Sequence, residues 1–95
     1  MQSIKRKNSK LMKYKIDIAP LADYFVVAVR EKETEELKET FTLNESGADM
    51  LRLLRNGMDT ETVAIKIAEL YEIPVSQIRK DVIAFADKMA QKQIL

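Results

Sequence analysis

At Leu43 the hydrophobic pattern of this 95-residue chain changes period. Before it, apolar and polar residues alternate, the repeat of a strand that buries one face. After it, apolar residues recur every three to four positions, the repeat of a helix that buries one stripe. A chain that separates its strands from its helices in this way is restricted to α+β architectures, with the helices gathered on one face of an antiparallel sheet.

In the first part, Tyr14, Ile16 and Ile18 share one face and Lys13, Lys15 and Asp17 the other. Ala19-Pro20 is expected to stop this strand, because proline donates no ladder bond. Tyr24-Phe25-Val26-Val27-Ala28-Val29 is dense in aromatic and β-branched residues and reads as a strand covered on both faces or nearly so. Residues 31–39, with five glutamates and two lysines, read as a solvated hairpin connection. A third strand is expected over Lys38 to Leu43, with Glu39, Phe41 and Leu43 alternating with Lys38, Thr40 and Thr42.

In the second part, Asn44 is an N-cap and Glu45 suits the positive first turn of a helix whose stripe is Ala48, Leu51 and Leu54 with Met50 and Leu53. Asn56-Gly57 ends it. Asp59 caps a second helix, with Met58 and Val63 spaced as a hydrophobic staple. Its expected buried stripe is Val63, Ile67, Leu70 and Tyr71, with Ala64 and Ala68 allowing close approach, and Pro74 closes the segment. The third helix is expected to start with Ser76 as its cap and to run to about Lys92. Ile78, Val82, Phe85 and Met89 form one seam, and Ile83, Ala86 and Ala90 form a second row that is either more core or the wall of a groove. The expected fold is α+β and winged helix-turn-helix-like: a three-stranded antiparallel sheet followed by three helices, over residues 13–95.

The first 15 residues hold Lys5, Arg6, Lys7, Lys10, Lys13 and Lys15 and no acid, whereas the rest hold 10 bases and 15 acids. Residues 1–12 are therefore expected to form a basic arm, either a solvated leader to the fold or a contact for an acidic surface. That stretch has no apolar core of a signal peptide, and no run approaches the roughly 20 apolar residues of a membrane span, so the expected location is the cytoplasm. Cysteine and histidine both count zero. This removes disulfides, thiol chemistry, Cys/His zinc sites and imidazole triads. Neither GxxxxGK[ST] nor GxGxxG occurs, and the expectation is a non-catalytic module without cofactor or metal.

The segment Thr42-Leu43-Asn44-Glu45-Ser46-Gly47-Ala48-Asp49-Met50-Leu51 resembles the LNxxxAxxL start of the first helix in the PqqD family, named for coenzyme PQQ synthesis protein D. Arg55-Asn56-Gly57 sits where that family has its Asp-Gly turn, Asp81-Val82-Ile83-Ala84-Phe85 is similar to its DVxxF signature, and Gln93-Ile94-Leu95 is similar to its terminal GLL, with glutamine in place of glycine. The resemblance covers residues 41–95. It implies a RiPP recognition element, a peptide-binding adaptor for ribosomally made and post-translationally modified peptides. Such a domain binds the leader segment of a precursor peptide and presents it to a modifying enzyme, typically a radical SAM protein. It further implies that the leader adds as a strand beside the third strand, in the groove between that strand and the third helix.

Strand addition needs an unpaired edge with apolar pockets beside it. The candidate residues are Thr40, Phe41, Thr42 and Leu43 for backbone pairing, Val82, Ile83 and Ala86 for the groove wall, and Arg79 for acidic side chains of the leader. An open edge can equally pair with its own copy as a homodimer. The alternative reading is a winged helix DNA-binding regulator. It is disfavoured, because Glu31, Glu33, Glu35, Glu36 and Glu39 would repel phosphate from the hairpin.

Overall fold

The computed structural model describes residues 12–95. The expected basic arm lies outside the described residues except for Met12, which is buried at 6% exposure. Three strands, β1 (Tyr14–Leu21), β2 (Tyr24–Glu31) and β3 (Leu37–Leu43), precede three helices, α1 (Glu45–Arg55), α2 (Thr60–Tyr71) and α3 (Val75–Gln91). The sheet is an antiparallel meander in the order β1-β2-β3, as a winged helix-like α+β fold requires.

Proline does not end β1, which continues through Pro20 to Leu21. The register explains why. β1 and β2 are joined by the two-residue turn Ala22-Asp23, with Ala22 at φ 56°, and Leu21 pairs with Tyr24. The pair that closes a two-residue hairpin exchanges ladder bonds, and the next pair does not. Pro20, opposite Phe25, therefore turns its nitrogen to the open edge and forfeits no bond.

One sheet face carries the core. Ile16, Val29 and Glu39 lie in one row across the strands, and Ile18, Val27 and Phe41 in the next. Val27 and Val29 are packed with Leu51 of α1, Met89 of α3 and Ile94. A second cluster joins Met50 and Leu54 of α1 to Val63, Ala64, Ile67 and Ala68 of α2 and Ile78 and Val82 of α3. α1 thus serves both clusters from neighbouring turns.

The caps follow the sequence with one exception. Asn44 accepts from the Gly47 amide at 2.9 Å, and Asp59 from the Thr62 amide at 2.8 Å. α3 instead begins one residue before Ser76, with Pro74 at the cap position and its carbonyl accepting from the Gln77 amide at 3.0 Å. Pro74 is extended there, at φ −63° and ψ 138°, and no side chain caps the first turn. Leu70 is also not where the stripe placed it, being 63% exposed. Ala64, Ile67 and Tyr71, spaced three and four apart, centre the buried face of α2, and Leu70 falls on its flank.

Two polar devices tie the chain ends to the core. Arg55 Nη1 donates to the Ile94 carbonyl at 2.7 Å and Nη2 to the Tyr14 carbonyl at 3.1 Å, so one half-buried guanidinium joins the last turn of α1, the start of β1 and the end of α3's trailing segment. At the end of α3, Gln93 takes a left-handed conformation at φ 63°, its amide bonds the Ala90 carbonyl at 2.9 Å, and the Ile94 amide bonds the Met89 carbonyl at 3.0 Å. This is a Schellman cap, with Met89 and Ile94 packed together beneath it.

Replacing Arg55 with Ala is expected to lower unfolding free energy in a urea titration by about 2–3 kcal/mol, since two carbonyls lose a charged donor. Arg55→Lys recovers less than half of that, because an ammonium lacks the fork that spans both oxygens. Gln93→Gly is expected to act in the opposite sense and raise stability by about 0.5–1 kcal/mol, because glycine holds a left-handed cap without a Cβ clash.

Candidate functional site

β3 is an outer strand, paired among the described residues only with β2. Hydrogen-bonded and non-hydrogen-bonded pairs alternate, and an interior strand offers alternate residues to its two neighbours. On β2, the residues that do not bond β1 are Phe25, Val27, Val29 and Glu31, and the Glu31 amide indeed bonds across to the Glu36 carbonyl at 2.9 Å. Their β3 partners Leu43, Phe41 and Glu39 therefore spend their backbone groups on β2. Thr40 and Thr42 turn theirs to the open edge. Of the four residues expected to pair through the backbone, these two face outward, while Phe41 and Leu43 bring half-buried side chains to the inner face.

The other edge is obstructed. Pro20 offers it no N–H, and the Tyr14 carbonyl is occupied by Arg55. A β-bulge between Val29 and Arg30 ends the regular register beyond Glu39, so the regular open edge runs from Glu39 to Leu43.

α3 borders that edge with the flank that carries Phe85 and Lys92. Lys92 Nζ donates to Glu39 Oε2 at 2.8 Å and stands 4.8 Å from the centre of the Phe41 ring. Phe85 packs into the same cluster as Phe41 and Leu43. Asp81 and Lys88, four residues before Phe85 and four before Lys92, share this flank by helical spacing. Beyond Leu43, a cavity of about 330 Å³ opens between Asn44, Ser46, Tyr71, Ile73 and Ile78. Tyr71 Oη donates to Asp49 Oδ2 at 2.6 Å, and burial together with that carboxylate pushes the phenol well above its ordinary pKa.

The helix residues expected to form the wall lie elsewhere. Val82 is 0% exposed and packed among Val63, Ile67 and Ile78, within the core. Arg79 forms a two-point ion pair with Glu61 of α2, Nε to Oε1 at 2.9 Å and Nη2 to Oε2 at 2.8 Å. Ala86 lines a cavity of about 610 Å³ with Met58, Asp59 and Thr60. Ile83, four residues after Arg79 and 47% exposed, shares that far flank. The second apolar row of α3 thus turns toward α2 rather than β3, and Phe85 and Lys92 take its place. Spacing groups Phe85 with Lys92, but which flank of α3 meets the sheet depends on how the helix crosses it.

Among the described residues no cluster of acidic, histidine or cysteine side chains is arranged to hold a metal ion. No helix among them is long and apolar enough to cross a membrane.

Fold and edge together define a winged helix-like domain whose outer strand β3 pairs only with β2 among the described residues. The chain belongs to the PqqD family: the family model described as coenzyme PQQ synthesis protein D (PqqD) matches residues 26–95. A solved structure, TbiB1 in complex with the TbiA(beta) leader peptide, has a similar fold at a TM-score of 0.60 and 23% sequence identity, covering 86% of this chain and 92% of that one. No curated protein matches this chain.

The contact between Lys92 and Glu39 is partly exposed and costs little to open. Lys92→Met, which keeps the stem over Phe41 and deletes the charge, is expected to change unfolding free energy by less than about 1 kcal/mol in a denaturant titration.

Proposed function

We propose that the protein captures the leader segment of a ribosomally made precursor peptide as a fourth strand on β3 and presents it to a modifying enzyme, such as a radical SAM maturase. The observation that carries this reading is the asymmetry of the two sheet edges: β1 is obstructed at its two ends by Pro20 and Arg55, while the backbone groups of Thr40 and Thr42 turn to the open side of β3. Membership of the PqqD family supports it, as does the similar fold of TbiB1, a protein solved with a leader peptide.

In this mechanism the main-chain bonds to Thr40 and Thr42 supply affinity, and alternate leader side chains enter the groove between Phe41 and Leu43 on one side and Phe85 on the other. Lys88 offers positive charge to acidic leader residues, as do Lys92 and Arg79 when they exchange Glu39 and Glu61 for a leader carboxylate. No bond is made or broken by the adaptor. Holding the leader raises the local concentration of the attached core peptide at the enzyme's site. A second copy of the chain competes for the same edge, so leader addition and dimer formation through β3 exclude each other.

The DNA-binding alternative gains little support. Arg79 and Lys92, two of the four bases between residues 76 and 92, are held in ion pairs with Glu61 and Glu39, and exposed glutamates occupy the β2–β3 connection.

A substitution separates edge from ladder. Thr42→Pro deletes an edge-facing N–H, so the protein is expected to stay folded, as β1 does with Pro20, while leader affinity measured by calorimetry falls about tenfold or more. In hydrogen exchange, the amides of Thr40 and Thr42 are expected to gain protection on adding a precursor leader peptide, whereas those of Phe41 and Leu43 are protected throughout. Unchanged exchange at Thr40 and Thr42 in a saturated complex would falsify the reading.

A further inference from the structure

Obstruction leaves β1 with a short window rather than none. Ile16 and Ile18, like Pro20, sit in pairs that do not bond β2, so their N–H and C=O groups point to the outer edge. Pro20 bounds this window on one side, and the Tyr14 carbonyl capped by Arg55 bounds it on the other. Beside it lies a cleft of about 340 Å³ between β1 and the last turn of α1, lined by Ile16, Ile18, Arg52, Arg55 and Asn56.

The lining pairs two guanidinium groups and an amide with an aliphatic floor and includes no carboxylate. Arg55 uses two of its five N–H donors on the Tyr14 and Ile94 carbonyls, and among the described residues no acid pairs with it. Burial without a balancing anion pulls its pKa below the ordinary guanidinium value. Arg52 is held loosely, at 3.6 Å from Asp49 Oδ1 and 5.5 Å from the centre of the Phe25 ring, and is half exposed. A salt bridge of that length and exposure is exchanged at little cost. Positive charge in the last turn of α1 suits the helix dipole, but the dipole requires neither the apolar floor nor the open backbone groups beside it.

We propose that this cleft is a second binding site, separate from the β3 edge, for a short extended acidic segment of a protein partner. The segment's backbone pairs with Ile16 and Ile18, and one of its carboxylates is held by Arg52, Arg55 and Asn56. Ile16 and Ile18 are the two residues this window offers for pairing, and selectivity rests on charge. The proposal is independent of leader capture, since the two sites lie on opposite edges of the sheet.

The test uses the peptide acetyl-Val-Glu-Val-Glu-Val-amide and its glutamine counterpart, titrated into the full chain and followed by amide and side-chain NMR shifts. The acidic peptide is expected to shift Ile16, Ile18, Arg52, Arg55 and Asn56, to be displaced by added salt, and to bind equally well to the Thr42→Pro variant. Arg52→Gln is expected to weaken it about tenfold, the loss of one charge-assisted contact. The proposal is overturned if the glutamine peptide produces the same shifts, if shifts are confined to Thr40 and Thr42, if none occur, or if Arg52→Gln leaves Kd unchanged. Because Arg52 lies on the helix surface and caps nothing, its variant keeps the fold, and a normal amide spectrum verifies this.

Discussion

A three-stranded sheet has one interior strand and two outer ones, so the backbone of two edges must find partners outside the ladder. Helices laid on one face cannot supply them. The protein treats its two edges differently: a proline and a guanidinium bound β1, while among the described residues the regular stretch of β3 turns the backbone of Thr40 and Thr42 away from the ladder. The asymmetry gives the molecule a direction, and the placement of α3 follows from the same choice. Phe85 and Lys92 meet the open strand, while the small residues of α3 face α2.

α3 works on two fronts because its apolar surface is broader than one partner needs. The seam through Ile78, Val82 and Met89 is consumed by the two core clusters. What remains divides into a flank tied to α2 by Arg79 and Glu61 and a flank that shares a long-stemmed lysine with the sheet. An aliphatic stem lying on an aromatic ring and ending in a cation is adaptable, since it can release one carboxylate for another while still covering Phe41.

Much of this fold is legible in the sequence because its local signals agree with one another. The change of period at Leu43, the caps at Asn44 and Asp59 and the turn at Gly57 each act within a few residues, and the structure has them where the residues indicate. The departures arise where tertiary context decides. Pro20 ends a strand only if its nitrogen is owed to a neighbour, which depends on register. Ser76 lies inside α3, whose first turn closes on the Pro74 carbonyl with no side-chain cap. Leu70 and the row of Ile83 and Ala86 satisfy helical spacing, yet spacing does not say which side of a helix meets which neighbour. The candidate edge was legible for the same reason as the strands, as alternation, whereas its division into ladder-facing and solvent-facing residues needed the pairing with β2. Arg55 gives no signal at all in the sequence, because both of its acceptors are main-chain carbonyls of distant residues.

That single side chain also fixes where the two ends of the described fold emerge. Tyr14 and Ile94 are both within hydrogen-bonding reach of one guanidinium, so the described fold starts and finishes at nearly the same spot. A domain with adjacent ends can be spliced into a loop of a larger protein, or have its ends joined and be reopened at another turn, without stretching the host. The same neighbourhood means that the segments leading into Tyr14 and out of Ile94 meet the fold at one corner of the molecule.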